Sequence, residues 1–431
     1  MRISSGMIFD AGVSSINRQT ASLLQLQQQV ASARRIVTPS DDPVAAARVL
    51  DLTQASDMVT QFKRNQDSAT SALGLEETQL ASVGDLLGRV RELAVQAGNT
   101  GTLTASDRKT IATELRSRFD ELLGLANATD GAGQHIFSGY MGATTPFAGS
   151  LDNLLAGNEI AYQGDDGQRK LQLSPNRFLE VSDSGNDVFK RIRNGNGYFA
   201  TGYGIGNTGS GVIDAGSITS PAAWHAATAK DVAIQFTVAA GVTSYDLVDA
   251  ASGDSLLTGG PGPAPLASQR VFQSGQPIVL AQAGPPAFDL GASVIVTGAP
   301  ANGDSFSVAP SSSQSVFVTL ARLIGALEAP SGTPAANARL GNETGFALTN
   351  LDQGMDNILR VRAQIGARLA ETESLGNLNE DLKLQYQQTL SQLQDLDYAK
   401  AIADLTRKQT DLQAAQQSFA RISQLSLFNY L

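Results

Sequence analysis

The stretch from Leu52 to Ala97 reads LTQASDMVTQFKRNQDSATSALGLEETQLASVGDLLGRVRELAVQA. Within it, Leu52, Ala55, Val59, Phe62, Gln66, Ala69, Leu73, Glu76, Leu80, Val83, Leu87, Val90, Ala94 and Ala97 follow one another at steps of three and four without a break. Only Gln66 and Glu76 interrupt the apolar set. Such a stripe keeps one face of a helix turned toward a partner over many turns. At about 1.5 Å per residue the helix extends on the order of 80 Å, far beyond the usual three turns. The start is marked by Thr38-Pro39-Ser40-Asp41-Asp42-Pro43, with Asp42 as the N-cap and Pro43 at the first helical position. Gly98-Asn99-Thr100-Gly101 marks the stop. A further helix is predicted from Ser106 to Asn127, with Ile111, Leu115, Leu122 and Leu125 on one face.

Both chain ends repeat the pattern. Val13, Ile16, Thr20, Leu23, Gln27 and Val30 step by three and four near the N-terminus. Leu348, Leu351, Met355, Ile358, Ile365 and Leu369 form a seam in the C-terminal zone. Tyr398, Leu405, Leu412 and Phe419 then fall seven apart, with Ala401, Ala415 and Ile422 three residues on. Sustained heptads of this kind predict coiled-coil contact, so the two ends pair with each other or with neighbouring copies.

The chain of 431 residues has no cysteine, two histidines and a formal charge of -10. Zero cysteine excludes disulfide scaffolds, thiol catalysis and cysteine-bound metals. His135 and His225 cannot build a three-histidine metal centre. The acidic balance argues against a nucleic-acid groove, and no stretch approaches a membrane span. The first ten residues do not spell a cleavable secretory signal. The middle holds most of the glycines and prolines and little charge: between Asn194 and Ala321 the basic residues are Lys230 and Arg270 alone. A hairpin is expected around Asp166-Gly167, strands over 232–238, 293–297 and 305–308, and a short helix near Ser315 to Leu327. The fold expected is α+β: an elongated helical coiled-coil rod formed by both chain ends, with an inserted all-β domain. Its segments are 1–42, an assembly segment disordered until assembled; 43–190, a helical rod with a first β-hairpin region; 191–335, a β-rich outer domain; 336–395, a returning rod helix; and 396–431, a C-terminal assembly helix.

Candidate chemistry is thin. Gly204-Ile205-Gly206-Asn207-Thr208-Gly209 has the spelling of a dinucleotide loop, but no helix signal follows, so it reads as a flexible loop. Asp41 and Asp42 read as a helix start rather than an acid–base pair. Neither histidine lies beside a nucleophile motif. Asp165-Asp166 and Asp183-Ser184-Gly185-Asn186-Asp187 lack the spacing of an EF-hand and read as turns. No catalytic, cofactor-binding or metal residues are assigned, and no cofactor is expected.

Several motifs together resemble the flagellin superfamily, within it the hook-associated protein 3 (hook–filament junction) family. They are Met1-Arg2-Ile3-Ser4, the run Leu26 to Ile36, Pro39-Ser40-Asp41-Asp42-Pro43-Val44-Ala45-Ala46-Ala47, Gly133 to Tyr140 with Thr145-Pro146-Phe147, Ser184 to Phe189, and the tail from Phe419 to Leu431. The resemblance covers about residues 1–190 and 340–431. Filament flagellin is the rival, but it carries Asp-Asp-Ala-Ala where this chain has Asp41-Asp42-Pro43-Val44. A secreted enzyme with activity in the insert is a further alternative, for which 191–335 shows no constellation. Ala33 departs from the family, which has glycine there, and is expected to extend its helix by a residue or two. The resemblance implies a non-enzymatic flagellar subunit, exported through the flagellar type III channel without a cleaved signal. Its implied partners are hook-associated protein 1, flagellin, copies of itself in a ring and a dedicated export chaperone, with no nucleic acid and no membrane insertion. The assembly face is expected at Val13, Ile16, Leu23, Val30, Leu405, Leu412, Phe419 and Ile422.

Overall fold

Among the described residues, long α-helices make up both ends of the chain and shorter ones punctuate the middle. They are α1 (Ser5–Ser32), α2 (Pro43–Gly98), α3 (Ala105–Ala126), α4 (Leu151–Leu155), α5 (Pro221–Ala226), α6 (Val316–Glu328), α7 (Pro334–Gln394) and α8 (Tyr398–Phe428). The computed structural model describes residues 5–99, 103–330 and 332–428, with side chains left out at 5, 6, 8 and 422–428. Two compact units are distinguished. One comprises Met1–Asp67, Gln172–Arg177 and Thr372–Leu431; the other comprises Ser68–Leu171 and Phe178–Glu371. The fold class is α+β, with long terminal helices and a central β region.

Helix starts follow the predicted chemistry. Asp42 Oδ1 accepts the Ala45 N–H at 3.1 Å, and Pro43 occupies the first turn, where no N–H is needed. Thr104 and Asp107 cap α3 reciprocally, a capping box. Ser315 caps α6 through the Phe317 N–H at 3.1 Å.

In the larger unit, residues 69–97 of α2 bury the predicted stripe: Leu73, Leu80, Val83, Leu87, Val90 and Ala94 are enclosed. The buried valine and leucine side chains stabilise by about 1.5–3 kcal/mol each. α3 joins with Ile111, Leu115, Phe119 and Leu122; Leu125 is only half-buried, and Phe119 and Ala126 hold the inner positions. α6 is apolar on nearly every side and packs against α3. On α7 the enclosed positions are Leu351, Ile358, Val361 and Ile365, while Leu348, Met355 and Leu369 are half-buried. Phe147 lies within 5.5 Å of Tyr162, Phe189 and Phe317, centroid to centroid, and Phe317 reaches Phe119 at 5.9 Å.

The β region of the same unit contains two principal sheets. The first has five strands in the order Arg270–Val271, Val242–Asp249, Val232–Ala239, Ser305–Pro310 and Phe199–Tyr203. The second runs Pro277–Gln282, Phe288–Thr297 and Val212–Ile213, with Ser217–Ile218 also paired to Phe288–Thr297. Val232, Ile234, Phe236 and Phe306 from the first sheet form one apolar core with Ile278, Leu280, Val294 and Val296 from the second. The strands expected over 232–238, 293–297 and 305–308 lie within these.

Three expectations are corrected. No hairpin turns at Asp166-Gly167: Ala161–Tyr162 pairs with Phe147–Ala148, and Lys170–Ser174 pairs with Arg177–Glu180. Asp165 instead anchors the intervening loop, accepting the N–H groups of Gly167 and Tyr140 at 2.8 and 2.9 Å. The loop Gly204 to Gly209, expected to be flexible, is tied down at Thr208 and Gly209. The buried Asp304 carboxylate accepts the N–H groups of Thr208, Gly209 and Ala301 at 2.8–3.0 Å. Ala33 does not extend α1. It sits at φ 59°, the left-handed cap position that glycine fills without strain.

Candidate assembly interface

α1 and α8 pack against each other along their length. The Phe9 and Phe419 rings lie 5.1 Å apart, Lys408 Nζ donates to Ser22 Oγ at 3.2 Å, and Tyr398 Oη donates to the Val30 carbonyl at 3.3 Å. Numbers rise on α1 as they fall on α8, so the pair is antiparallel. That register places Ile16 level with Leu412 and Leu23 level with Leu405. Gly12 makes room for the Phe419 ring, since a Cβ there would meet Cδ2 at 2.7 Å.

The predicted face is therefore brought together within one chain. Val13, Ile16, Leu23 and Val30 are half-buried on α1, as are Leu405, Leu412 and Phe419 on α8. The side chain of Ile422 lies outside the described residues. Gln27 is exposed, and Leu26 takes its inward place. Two helices cover only part of each other's seam: Ala401 is enclosed, whereas Phe9, Leu24 and Ile402 remain 53%, 54% and 52% exposed.

The two corners leading into these helices are stitched by backbone. Arg35 N–H donates to the Gln394 carbonyl at 2.7 Å, and Leu396 N–H to the Ala33 carbonyl at 3.2 Å. The Arg35 guanidinium adds bonds to the Leu393 carbonyl at 2.9 and 3.2 Å. Asp41 closes the loop before α2 by accepting the N–H groups of Thr38 and Val37 at 2.9 and 3.0 Å and the Gln25 amide at 2.8 Å. Those backbone donors hold its carboxyl below the usual value. The paired acids are thus loop lock and helix cap.

The polar interruptions of the α2 stripe, unexplained by period, receive the chain segment that follows α4. In the unit containing the chain ends, Asn65 Nδ2 donates to the Gln172 carbonyl at 2.8 Å. Gln66 Nε2 and Asn379 Nδ2 both donate to the Leu173 carbonyl at 3.1 Å. In the larger unit, Glu76 Oε1 accepts the Asp183 N–H at 3.1 Å, while its Oε2 is buried without a partner. Asp183 in turn is held by Arg368 at 2.8 and 3.0 Å and by Gln168 at 2.8 Å. Burial, then the Asp183 charge, push the Glu76 carboxyl up to about 8. Asp166 accepts from Asn186 and Ser184 and pairs with Arg191. His135 Nδ1 meets the Asn127 carbonyl at 2.8 Å, and His225 faces Tyr198. Among the described residues no three potential metal ligands cluster, and no helix is long and apolar enough to cross a membrane.

Residues 3–141 match the bacterial flagellin N-terminal helical region and residues 348–431 the bacterial flagellin C-terminal helical region. Flagellar hook-associated protein 3 of Escherichia coli strain K12 is 27% identical over 433 aligned positions, covering 99% of both chains. The structure of flagellar hook-associated protein-3 from Legionella pneumophila is 31% identical, with a TM-score of 0.70 over 79% of this chain and 98% of that one. The chain belongs to the hook-associated protein 3 family. Phase 1 flagellin of Salmonella naestved, by contrast, matches over 123 residues, 28% of this chain and 24% of its own. Likeness to the hook-associated protein 3 family thus runs through the β region as well as the ends, and flagellin as the rival reading gives way.

Proposed function

We propose that this hook-associated protein 3 homologue is a structural flagellar subunit that joins hook to filament through its terminal helices. The observation that supports this most directly is the half-covered α1–α8 seam. Phe9, Leu24 and Ile402 stay exposed beside it, and a two-helix pair leaves apolar surface that further helices can bury. Neighbouring copies in a ring, hook-associated protein 1 on one side and flagellin on the other, supply those helices. Before assembly the ends are loosely ordered; packing into the junction offsets the chain entropy lost. Delivery uses the flagellar type III channel with a dedicated export chaperone, and the subunit carries no enzymatic activity.

The experiment is a swimming and filament-retention assay on Leu23→Asp and Leu412→Asp. Each places a charge in the seam and should leave the β region folded while abolishing filament attachment. Normal swimming by both variants would sink the assignment.

A further inference from the structure

Of the two basic residues between Asn194 and Ala321, Lys230 caps the end of α5 by donating to the His225 carbonyl at 3.1 Å. Arg270 has a different position. It stands on the short strand Arg270–Val271, an edge of the five-stranded sheet. Its guanidinium reaches across to the second sheet, where Pro277–Gln282 is also an edge strand. There Nη1 donates to the Val279 carbonyl at 3.1 Å, and Nη2 donates to the Ala281 carbonyl at 2.7 Å and to Gln282 Oε1 at 3.4 Å. Gln282 Nε2 passes the chain of bonds on to the carbonyls of Leu257 and Pro286 at 3.0 and 3.2 Å.

Val279 and Ala281 flank a shift of register against the neighbouring strand Phe288–Thr297, and both offer their carbonyls to Arg270. Such a row of acceptors is what an incoming strand would use. No further charge in the local sequence repels one. No residue from Val271 to Phe288 carries a charge, and Val279 and Val271 are 49% and 65% exposed. An uncharged, partly apolar open edge pairs readily with a copy of itself about a two-fold axis.

We propose that Arg270 guards this edge, and that strand Pro277–Gln282 is a latent interface for the same strand of a second copy of this chain. The guanidinium occupies the carbonyls a second strand needs and sets a cation in its path. The guard is built in cis, one strand before the edge it protects.

The test uses the full chain with Arg270→Met, which keeps the stem and removes charge and donors, and Arg270→Lys, which keeps the charge but lacks the fork. Sedimentation over rising concentration should show a two-copy species for Arg270→Met beyond anything wild type forms, and a weaker one for Arg270→Lys. Adding Ala281→Pro, which removes a strand donor, should return Arg270→Met to wild-type behaviour. Sedimentation of Arg270→Met like wild type would overturn the proposal, as would association that Ala281→Pro leaves in place. Loss of the sheet signal in circular dichroism for both single variants would make Arg270 a stability residue instead, and would overturn the proposal too.

Discussion

Glu76 is a carboxyl group set in an apolar stripe, and its buried second oxygen finds no partner. Held up at about 8 against an ordinary 4.5, it keeps its proton in the folded chain while the unfolded chain gives one up. Stability from this group therefore falls as pH rises from about 4.5 to about 8 and levels off above. Glu76→Gln keeps an acceptor for the Asp183 N–H without the ionisation. Urea midpoints should coincide for variant and wild type near pH 4.5 and favour the variant at pH 8.5, by a gap that grows in between. A constant gap across that range would contradict the assignment. Ala33 is the converse case, a side chain where none is wanted. Ala33→Gly should relieve about 1 kcal/mol of left-handed strain, read as about fivefold slower hydrogen exchange at the corner amides of Arg35 and Leu396. Asp41, whose carboxyl is held low, works in the opposite pH sense to Glu76. Its bonds stand above the ordinary carboxylate range and are released as pH falls through its lowered value.

Among the elements, the helices were the legible part. Period located α2 because burial on one face of a long helix leaves a trace every three or four residues, and Pro43 and Gly98 bounded it correctly. The same logic picked out positions that are half-buried on α1 and α8. It could not say that Ile16 meets the level of Leu412 in its own chain, because a heptad states that a face needs a partner and not whose. It misplaced Gln27 for Leu26, since a three-four count tolerates a slip of one. Gln66 and Glu76 looked like flaws; only the return of Leu173 and Asp183 to α2, 107 residues on in both cases, explains them. The Asp166-Gly167 turn misled because dipeptide propensity ignores side-chain anchors such as Asp165. The register itself is open to test. With no native cysteine to interfere, Leu23→Cys paired with Leu405→Cys should give an intrachain disulfide on mild oxidation, visible as faster migration of a single-chain band. Cross-linked dimers alone would favour seams that meet only between copies. Gly12→Val should lower the yield by driving a branched side chain into the Phe419 ring.

For the molecule as a whole, the proposed function carries a prediction about the free subunit. Limited proteolysis should remove roughly 30–40 residues from each end and spare the rest, because a two-helix pair with half-covered seams opens more often than an enclosed core. Protection of both ends in the monomer would argue against ordering on assembly. The antiparallel pairing also imposes a timetable. Val30 and Tyr398 are 368 residues apart, and Ser22 and Lys408 are 386 apart. Whichever way the chain is delivered, one member of the pair appears well before the other. The leading helix must wait for all the residues that separate the two to arrive. Completion of α8 thus serves as a check on length: a product that stops short of its 31 residues leaves α1 without a mate, however well the rest has folded.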